Sequence, residues 1–390
     1  MLRFFRNEKP FLCFGLFFTF LKFYSFRNSK LYRLVVVKNF NPMIILGIET
    51  SCDETAVAVV NGSGNNVKVL SNIVSSQIEI HQKYNGVVPE VAAREHVLNI
   101  LPVINEALEK AKKASKKIDA IAVTIGPGLI TSLMVGVETA KTLAFGWKVP
   151  VIGINHIKGH IYANFISANS KSKIKNKPTF PALILTVSGG HTMLVLMSWH
   201  GKYKIIGETL DDAAGEAFDK AAAMLGLSYP GGPEIQAKAS QAKNKKLVKS
   251  IHLPRPMIYD KSYNFSFSGL KTALLYAIQR DKKWKEKISE YCAEFQQATI
   301  DVLVFKTIRA AKMLNCQTIM LAGGVAANKE LRNQLDTAVK TKLVNVKLII
   351  PEFEYCADNA AMVATAGYFK AIKKDFTPLA KLKADANLIY

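Results

Sequence analysis

Met43-Ile44-Ile45-Leu46-Gly47-Ile48-Glu49-Thr50-Ser51-Cys52-Asp53-Glu54-Thr55-Ala56-Val57-Ala58-Val59-Val60 is an apolar run, a polar turn and a second apolar run. Runs of this length rich in Val and Ile read as strands, and the short polar link reads as a hairpin. The turn-rich Asn61 to Asn66 leads to a third run, Val67 to Val74, giving three antiparallel strands. The same opening recurs later: Ala182 to Val187, the turn Ser188-Gly189-Gly190-His191-Thr192, then Met193 to Met197, with Tyr203 to Gly207 as a third strand. After each opening the chain alternates helix and strand. The repeat is one of topology, not of sequence, and it predicts two similar α/β lobes facing one cleft.

Working outward, Glu90 to Lys113 has helical periodicity and Ile118 to Ile125 is a buried strand ending in Gly126-Pro127-Gly128. Ser132 to Phe145 is a helix of small and apolar residues, and Val149 to Ile154 a strand. Lys171 to Pro178 reads as a basic linker. Beyond the second opening, helices are expected at Ala213 to Leu225 and around Ile288 to Leu314. Strands follow at Thr318 to Leu321 and Val346 to Ile350, and Ala357 to Lys373 is the last long helix.

At 390 residues the chain can bury a sizeable core, and its 49% hydrophobic content is ordinary for a globular enzyme. The formal charge of +22 is not ordinary. A strongly basic surface points to a polyanion such as RNA, DNA or an anionic membrane, although a lysine-rich genome gives the same excess. Basic runs lie at Lys110 to Lys117, Lys171 to Lys177, Lys243 to Lys249 and Lys282 to Lys287. The five cysteines, Cys13, Cys52, Cys292, Cys316 and Cys356, form no CxxC pair, which argues for a reducing compartment and against a cysteine zinc site.

Residues 1–42 differ from the rest, with eight basic residues against the single acid Glu8. Their aromatic run, Phe11 to Leu21, is too short to span a membrane and is followed by Lys22. Two readings stay open: a mitochondrial presequence, or translated upstream DNA with true initiation at Met43. Without this segment the charge excess is +15.

Chemistry concentrates in a few places. His156 and His160 are four apart, so a helix would turn both imidazoles to one side, a spacing that suits a divalent metal. Metalloproteases share it, but they place a glutamate after the first histidine, where this chain has Ile157. Ser188-Gly189-Gly190 and Gly323-Gly324 follow strands, where backbone N–H groups can cradle a phosphate; glycine also serves ordinary tight turns. Asp53 and Glu54, in the first turn, could hold a metal or orient a phosphate's partner, and Asp is also a common turn residue. Asp211 or Asp212 could cap the helix that follows. Asp219 could accept from ribose hydroxyls or be a solvated helix charge. Tyr229-Pro230-Gly231-Gly232-Pro233 reads as a rigid turn closing that unit. Asp358 is either the cap of the last helix or a hard oxygen ligand completing a two-histidine site.

From Met43 onward these motifs, taken together, resemble the TsaD/OSGEP (YgjD/Gcp) family of tRNA N6-adenosine threonylcarbamoyltransferases, nearly end to end over residues 43–385. The resemblance rests on Gly47 to Thr55, Gly86-Val87-Val88-Pro89-Glu90 with Arg94 and His96, the histidine pair, Val187 to His191 and Tyr229 to Pro233. It also rests on Phe265 to Thr272, Ala322 to Asn328 and Asp358-Asn359-Ala360. The Asp212 to Lys220 segment is similar to the bacterial and organellar branch.

The resemblance implies an α/β, two-lobed actin/sugar kinase/Hsp70-like (ASKHA) fold, each lobe a mixed sheet flanked by helices. Residues 43–178 with 357–390 would form the N-terminal lobe and residues 179–356 the C-terminal lobe. The implied reaction moves a threonylcarbamoyl group from threonylcarbamoyl-AMP to N6 of adenosine 37 in tRNAs reading ANN codons (t6A formation). By the same resemblance, His156, His160 and Asp358 match ligands of one divalent metal ion per subunit, iron ahead of zinc. Thr186, Val187, Ser188, Gly189, Gly190, Asp219, Gly232 and Asn328 match adenylate-binding positions. Asp53 matches an acid that orients or deprotonates the attacking amine. Partners implied are tRNA, a TsaB-like paralogue and a TsaE-like ATPase, with no membrane. The place implied is the cytoplasm, or the mitochondrion if residues 1–42 are a presequence. Alternatives carried forward are a metal-dependent O-sialoglycoprotein endopeptidase and a non-catalytic nucleotide-binding scaffold. Two residues depart from the family pattern. Lys158 stands where a glutamate is usual, and Asn85 where a glycine is usual.

Overall fold

Each strand–turn–strand opening seeds one sheet in the computed structural model, which describes residues 42–112, 117–167, 177–242 and 245–390. β1 (Met43–Glu49) pairs antiparallel with β2 (Glu54–Ser63), and β2 with β3 (Asn66–Ser76). After α1 (Ile78–Gln82) and α2 (Pro89–Ala111), the chain adds β4 (Ala120–Gly126) parallel to β1. α3 (Ile130–Trp147) then returns it to β5 (Val151–Asn155), parallel to β4, and α4 (His156–Tyr162) follows at once. Parallel neighbours need such a crossover, because a hairpin cannot reverse the chain twice.

The second sheet repeats the plan. β6 (Ala182–Val187), β7 (Thr192–Trp199) and β8 (Lys202–Glu208) are antiparallel. Then come α5 (Ala214–Met224), α6 (Gly231–Ala239), α7 (Lys245–Ser250), α8 (Ser268–Arg280) and α9 (Ile288–Met313). β9 (Thr318–Ala322) pairs parallel to β6; α10 (Lys329–Lys342) leads to β10 (Lys347–Ile349), parallel to β9. α11 (Ala360–Ala371) is last. The described strands form two five-stranded sheets, ordered β3-β2-β1-β4-β5 and β10-β9-β6-β7-β8. Counting strands within each half, both orders are the same. The expected two-lobed fold of mixed sheets flanked by helices is therefore the observed one.

Three apolar cores stack through the molecule. α2 and α3 cover one face of the first sheet. Along α2 the buried residues Ala92, His96, Ile100, Val103, Ile104 and Ala107 make one stripe at helical period. α5, α6, α8, α9 and α10 cover the outer face of the second sheet. Between the sheets lie α4 and α11, in a core that draws Ile45, Ala58 and Ile152 from one sheet and Ile184, Val195 and Met320 from the other. α11 is apolar on all sides, as a helix enclosed on all sides must be. Gly47 lets it lie close to β1, where a Cβ would collide with the Ala360 carbonyl.

Several local expectations are corrected. Tyr229 to Pro233 does not close a unit; Gly231 starts α6, with Pro230 before it. Neither Asp211 nor Asp212 caps α5. Its N-cap is Ala213, and the Ala214 N–H donates to Thr192 Oγ1 at 2.8 Å. Asp211 instead accepts from the Phe267 N–H at 2.8 Å and holds the entry to α8. Asp212 pairs with Lys220 (2.8 Å) and Lys271 (2.7 Å). Glu54 opens β2 and is not in the turn. Asp358 does not cap the last helix; Asn359 does, its Oδ1 accepting from Met362 N–H at 3.0 Å. Asn85 has φ +53°, a left-handed angle that Asn tolerates. The expectation for residues 1–42 lies outside the described residues apart from Pro42, as does most of the linker at 171–178.

Candidate active site

The end of β5 passes directly into α4, so His156 stands at a strand–helix junction, with Asn155 capping the helix through Lys158 N–H at 3.1 Å. One turn on, His160 is buried at 1% exposure. The two rings meet edge-on, centroids 4.7 Å apart. Asp358, released from capping, turns to them: its Oδ1 is 3.1 Å from His160 Nε2 and 3.5 Å from His156 Nε2. One donor atom from each residue falls within 4.8 Å of the others. The structure thus brings together residues far apart in sequence.

Within the cluster, charge works against burial. Burial alone would push the Asp358 carboxyl up, but the two imidazoles hold it at about 2. Burial would pull His156 down, but Asp358 and Glu49 raise it to about 9. Neither ring nitrogen of His160 makes an aligned hydrogen bond among the described residues, although both are buried. A buried imidazole with no aligned hydrogen bond, close to a carboxylate and a second imidazole, fits a metal ligand set. His156, His160 and Asp358 therefore fit one divalent ion.

Glu49, the last residue of β1, backs this cluster. It accepts from Ser51 N–H (2.7 Å) and Thr124 Oγ1 (2.7 Å), and lies 3.2 Å from His156 Nδ1. Burial pushes its carboxyl up, but the imidazole's charge and hydrogen bond hold it below its ordinary value. The following turn is braced by His96. Its Nε2 must donate to the Cys52 carbonyl (3.0 Å), leaving Nδ1 to accept from Thr55 Oγ1 (2.8 Å). Asp53 is buried in this turn. Beside it, burial and then the negative charges of Asp358 and Asp53 push the Glu54 carboxyl well up. Neither Glu49 nor His96 carried a role in the sequence reading. Both belong to the motifs that carry the family resemblance, but strand end and helix face alone give neither a chemical role.

Across the cleft, the Ser188 to Gly190 turn is held by Ser188 N–H to the His191 carbonyl (2.8 Å) and by Gly215 N–H to the Ser188 carbonyl (3.1 Å). Gly323, at φ +90°, lies so close to Val187 that a Cβ would strike its carbonyl. Gly189, Gly190, Gly232 and Gly324 are different: nothing described stands within 4 Å of where a Cβ would be. These glycines front open space that a ligand can enter. Asp219 is no solvated charge. It accepts from Gly231 N–H at 2.7 Å, and burial outweighs the pull of the Gly231 and Gly232 N–H groups and raises its pKa. Asn328 caps α10 through Leu331 N–H (2.9 Å) and donates to Gln296 (2.9 Å). The two sides face each other. Burial and then the charge of Asp53 raise Tyr229, and His156 with His160 adds to burial in pulling His191 down to about 4. His191 is a further cleft residue that the sequence reading left without a role.

Two remaining expectations find their place. Ile157, after the first histidine, is a core residue and supplies no general base. Lys158 turns its ammonium to the rings of Tyr203 (5.5 Å) and Tyr390 (5.1 Å). The charges that shift His156 and Asp358 are Glu49 and the members of the cluster itself.

Two lobes of repeated topology, with open glycine turns on one side and a His/His/Asp cluster on the other, give an ASKHA-like fold. The fold matches HypF of T. kodakarensis with a TM-score of 0.56 at 12% identity, over 87% of this chain and 49% of HypF. The family model described as TsaD, tRNA N6-adenosine threonylcarbamoyltransferase, matches residues 68–365. Curated relatives of that name include one from Thermosipho africanus, 49% identical over 89% of this chain and 99% of the relative. Another, from Dehalococcoides mccartyi, is 53% identical over 85% and 94%. A third, from Geobacillus thermodenitrificans, is 50% identical over 83% and 90%. The chain belongs to the tRNA N6-adenosine threonylcarbamoyltransferase family.

Proposed function

We infer that this protein transfers a threonylcarbamoyl group to N6 of adenosine in tRNA, forming t6A. The observation that carries the reading is the near-full-length likeness at about half identity to transferases of that name. Finer points go with it: the donor is threonylcarbamoyl-AMP, and the target is adenosine 37 of tRNAs reading ANN codons. The open glycines support an adenylate seat formed by Thr186 to Gly190, Gly232 and Asn328. Asp219 holds the start of α6 and so places Gly232.

The amine of adenine is a weak nucleophile and must be held against the carbonyl carbon of the donor. Its nitrogen forms the new bond to that carbon, AMP leaves with the electrons of the anhydride bond, and the amine loses a proton. Asp53 is the group proposed to orient the amine or take that proton. It is buried at the turn that faces Asp219 and Tyr229. His156, His160 and Asp358 would hold one divalent ion, iron or zinc. When bound, it supplies positive charge against the oxygens of the reacting group.

Residues 43–178 with 357–390 are proposed as one lobe and residues 179–356 as the other; α11 packing on the first sheet supports the assignment of the C-terminal segment. α2 and α3 pack together and leave Val97, Leu98, Leu101, Ile130 and Met134 exposed, an apolar surface that suits a TsaB-like paralogue. A TsaE-like ATPase is the further proposed partner. The cytoplasm, where bacterial tRNA resides, is the proposed place of action. Among the described residues no helix is long and apolar enough to cross a membrane. The test is mass spectrometry of tRNA nucleosides from cells depleted of their own transferase and supplied with this chain. Restored t6A is expected; a well-expressed, folded chain that restores none would refute the reading.

A further inference from the structure

We propose that Glu49 is a positioning residue of the metal centre, fixing the His156 ring so that Nε2 and not Nδ1 faces Asp358 and the ion. The proposal rests on the metal reading of His156, His160 and Asp358.

Glu49 is fixed from several sides. It is 0% exposed at the end of β1. Its Oε1 accepts from Ser51 N–H at 2.7 Å, and its Oε2 accepts from Thr124 Oγ1 on β4 at 2.7 Å. Two strands and the first turn thus set the carboxylate before any histidine is considered. His156 Nδ1 then lies 3.2 Å from Oε2 and 3.1 Å from Ser51 Oγ. A hydroxyl can give or take a hydrogen bond, so Ser51 alone would not choose a tautomer. A carboxylate only accepts, so a proton belongs on Nδ1, and Nε2 is left as the nitrogen that gives up its proton when an ion binds. Nε2 is the nitrogen 3.5 Å from Asp358 Oδ1.

His160 makes the contrast. Neither of its ring nitrogens has an aligned partner among the described residues. Its Nε2 lies 3.1 Å from Asp358 Oδ1, but nothing described behind the ring holds Nδ1, at 1% exposure. The preset ligand is therefore His156, and Glu49 is what presets it. Histidines that bind metals commonly give their second N–H to such a carboxylate, and its loss weakens metal binding about 10–100-fold.

The test is a zinc titration of the metal-free full chain against a chromophoric chelator. The parent is expected to bind one zinc, and Glu49→Gln to bind it about 10–100-fold more weakly. Glutamine keeps the size but turns one acceptor into a donor, so either Ser51 N–H or His156 Nδ1–H loses its partner. Thr124→Val, which frees one side of Glu49, is expected to weaken zinc in the same direction by less. If Glu49→Gln does not fold, the nitrogen-15 histidine spectrum of the zinc-loaded parent decides. Zinc on Nε2 with the proton on Nδ1 supports the role, and zinc on Nδ1 overturns it. A parent that binds no zinc sinks the metal reading and this role with it. A parent that binds while Glu49→Gln binds equally well sinks the role of Glu49 alone.

Discussion

The two strand-turn-strand openings share a topology and divide the chemistry. The first, at Glu49 to Glu54, is crowded with carboxylates and braced by buried histidines. The second, at Ser188 to Gly190, offers backbone and empty space. A strand end in this architecture is a fixed platform, and the residue types placed on it decide what it holds. Side chains with charge collect a cation; glycines leave room for a ligand's bulk and present N–H groups to its anion.

The largest break in this comparison comes from the charged side. His156→Ala or Asp358→Ala is expected to abolish both stoichiometric zinc binding and t6A formation, measured by metal analysis and nucleoside mass spectrometry on one preparation. On the glycine side, Gly190→Val should leave the melting temperature near the parent's, since its Cβ meets nothing described within 4 Å. It should lower kcat/KM by on the order of 10²-fold by displacing the donor. Gly323→Ala should do the reverse. Strain at φ +90° and the Val187 carbonyl should cost roughly 1–3 kcal/mol of stability, read by urea unfolding.

Proton linkage sharpens the same contrast. His156, raised to about 9 without metal, is protonated below that pH and must release its proton to an ion. Apparent zinc affinity should therefore rise about tenfold per pH unit up to about 9 and then level. Calorimetry in buffers of different ionisation enthalpy measures the released proton; a pH-independent affinity would contradict the linkage. Smallest is Lys158→Glu. Its ammonium faces two tyrosine rings, so the change should cost about 0.5–1 kcal/mol in thermal unfolding. Zinc affinity should stay within about twofold.

Both openings were legible as apolar runs around polar turns, and the histidine pair as one helix face. What the sequence hid has physical causes. Asp358 and Asn359 are adjacent and either could cap a helix; only the fold shows that Asn359 does, which frees Asp358. Glu49 reads as the end of a strand, because its partners Thr124 and His156 arrive through two later crossovers. α10 is hard to read from sequence although Leu331, Leu335, Ala338 and Val339 mark a buried stripe, because its other positions are polar. Tyr229 to Pro233 reads as a turn because glycine and proline usually break helices, yet proline is at home just inside a helix start.

The most direct measurement is t6A in tRNA from transferase-depleted cells carrying either the parent chain or His156→Ala at equal expression. The expected result is t6A restored by the parent and absent with the variant. Equal t6A from both would contradict the metal-centred site, and none from a folded parent would contradict the function itself.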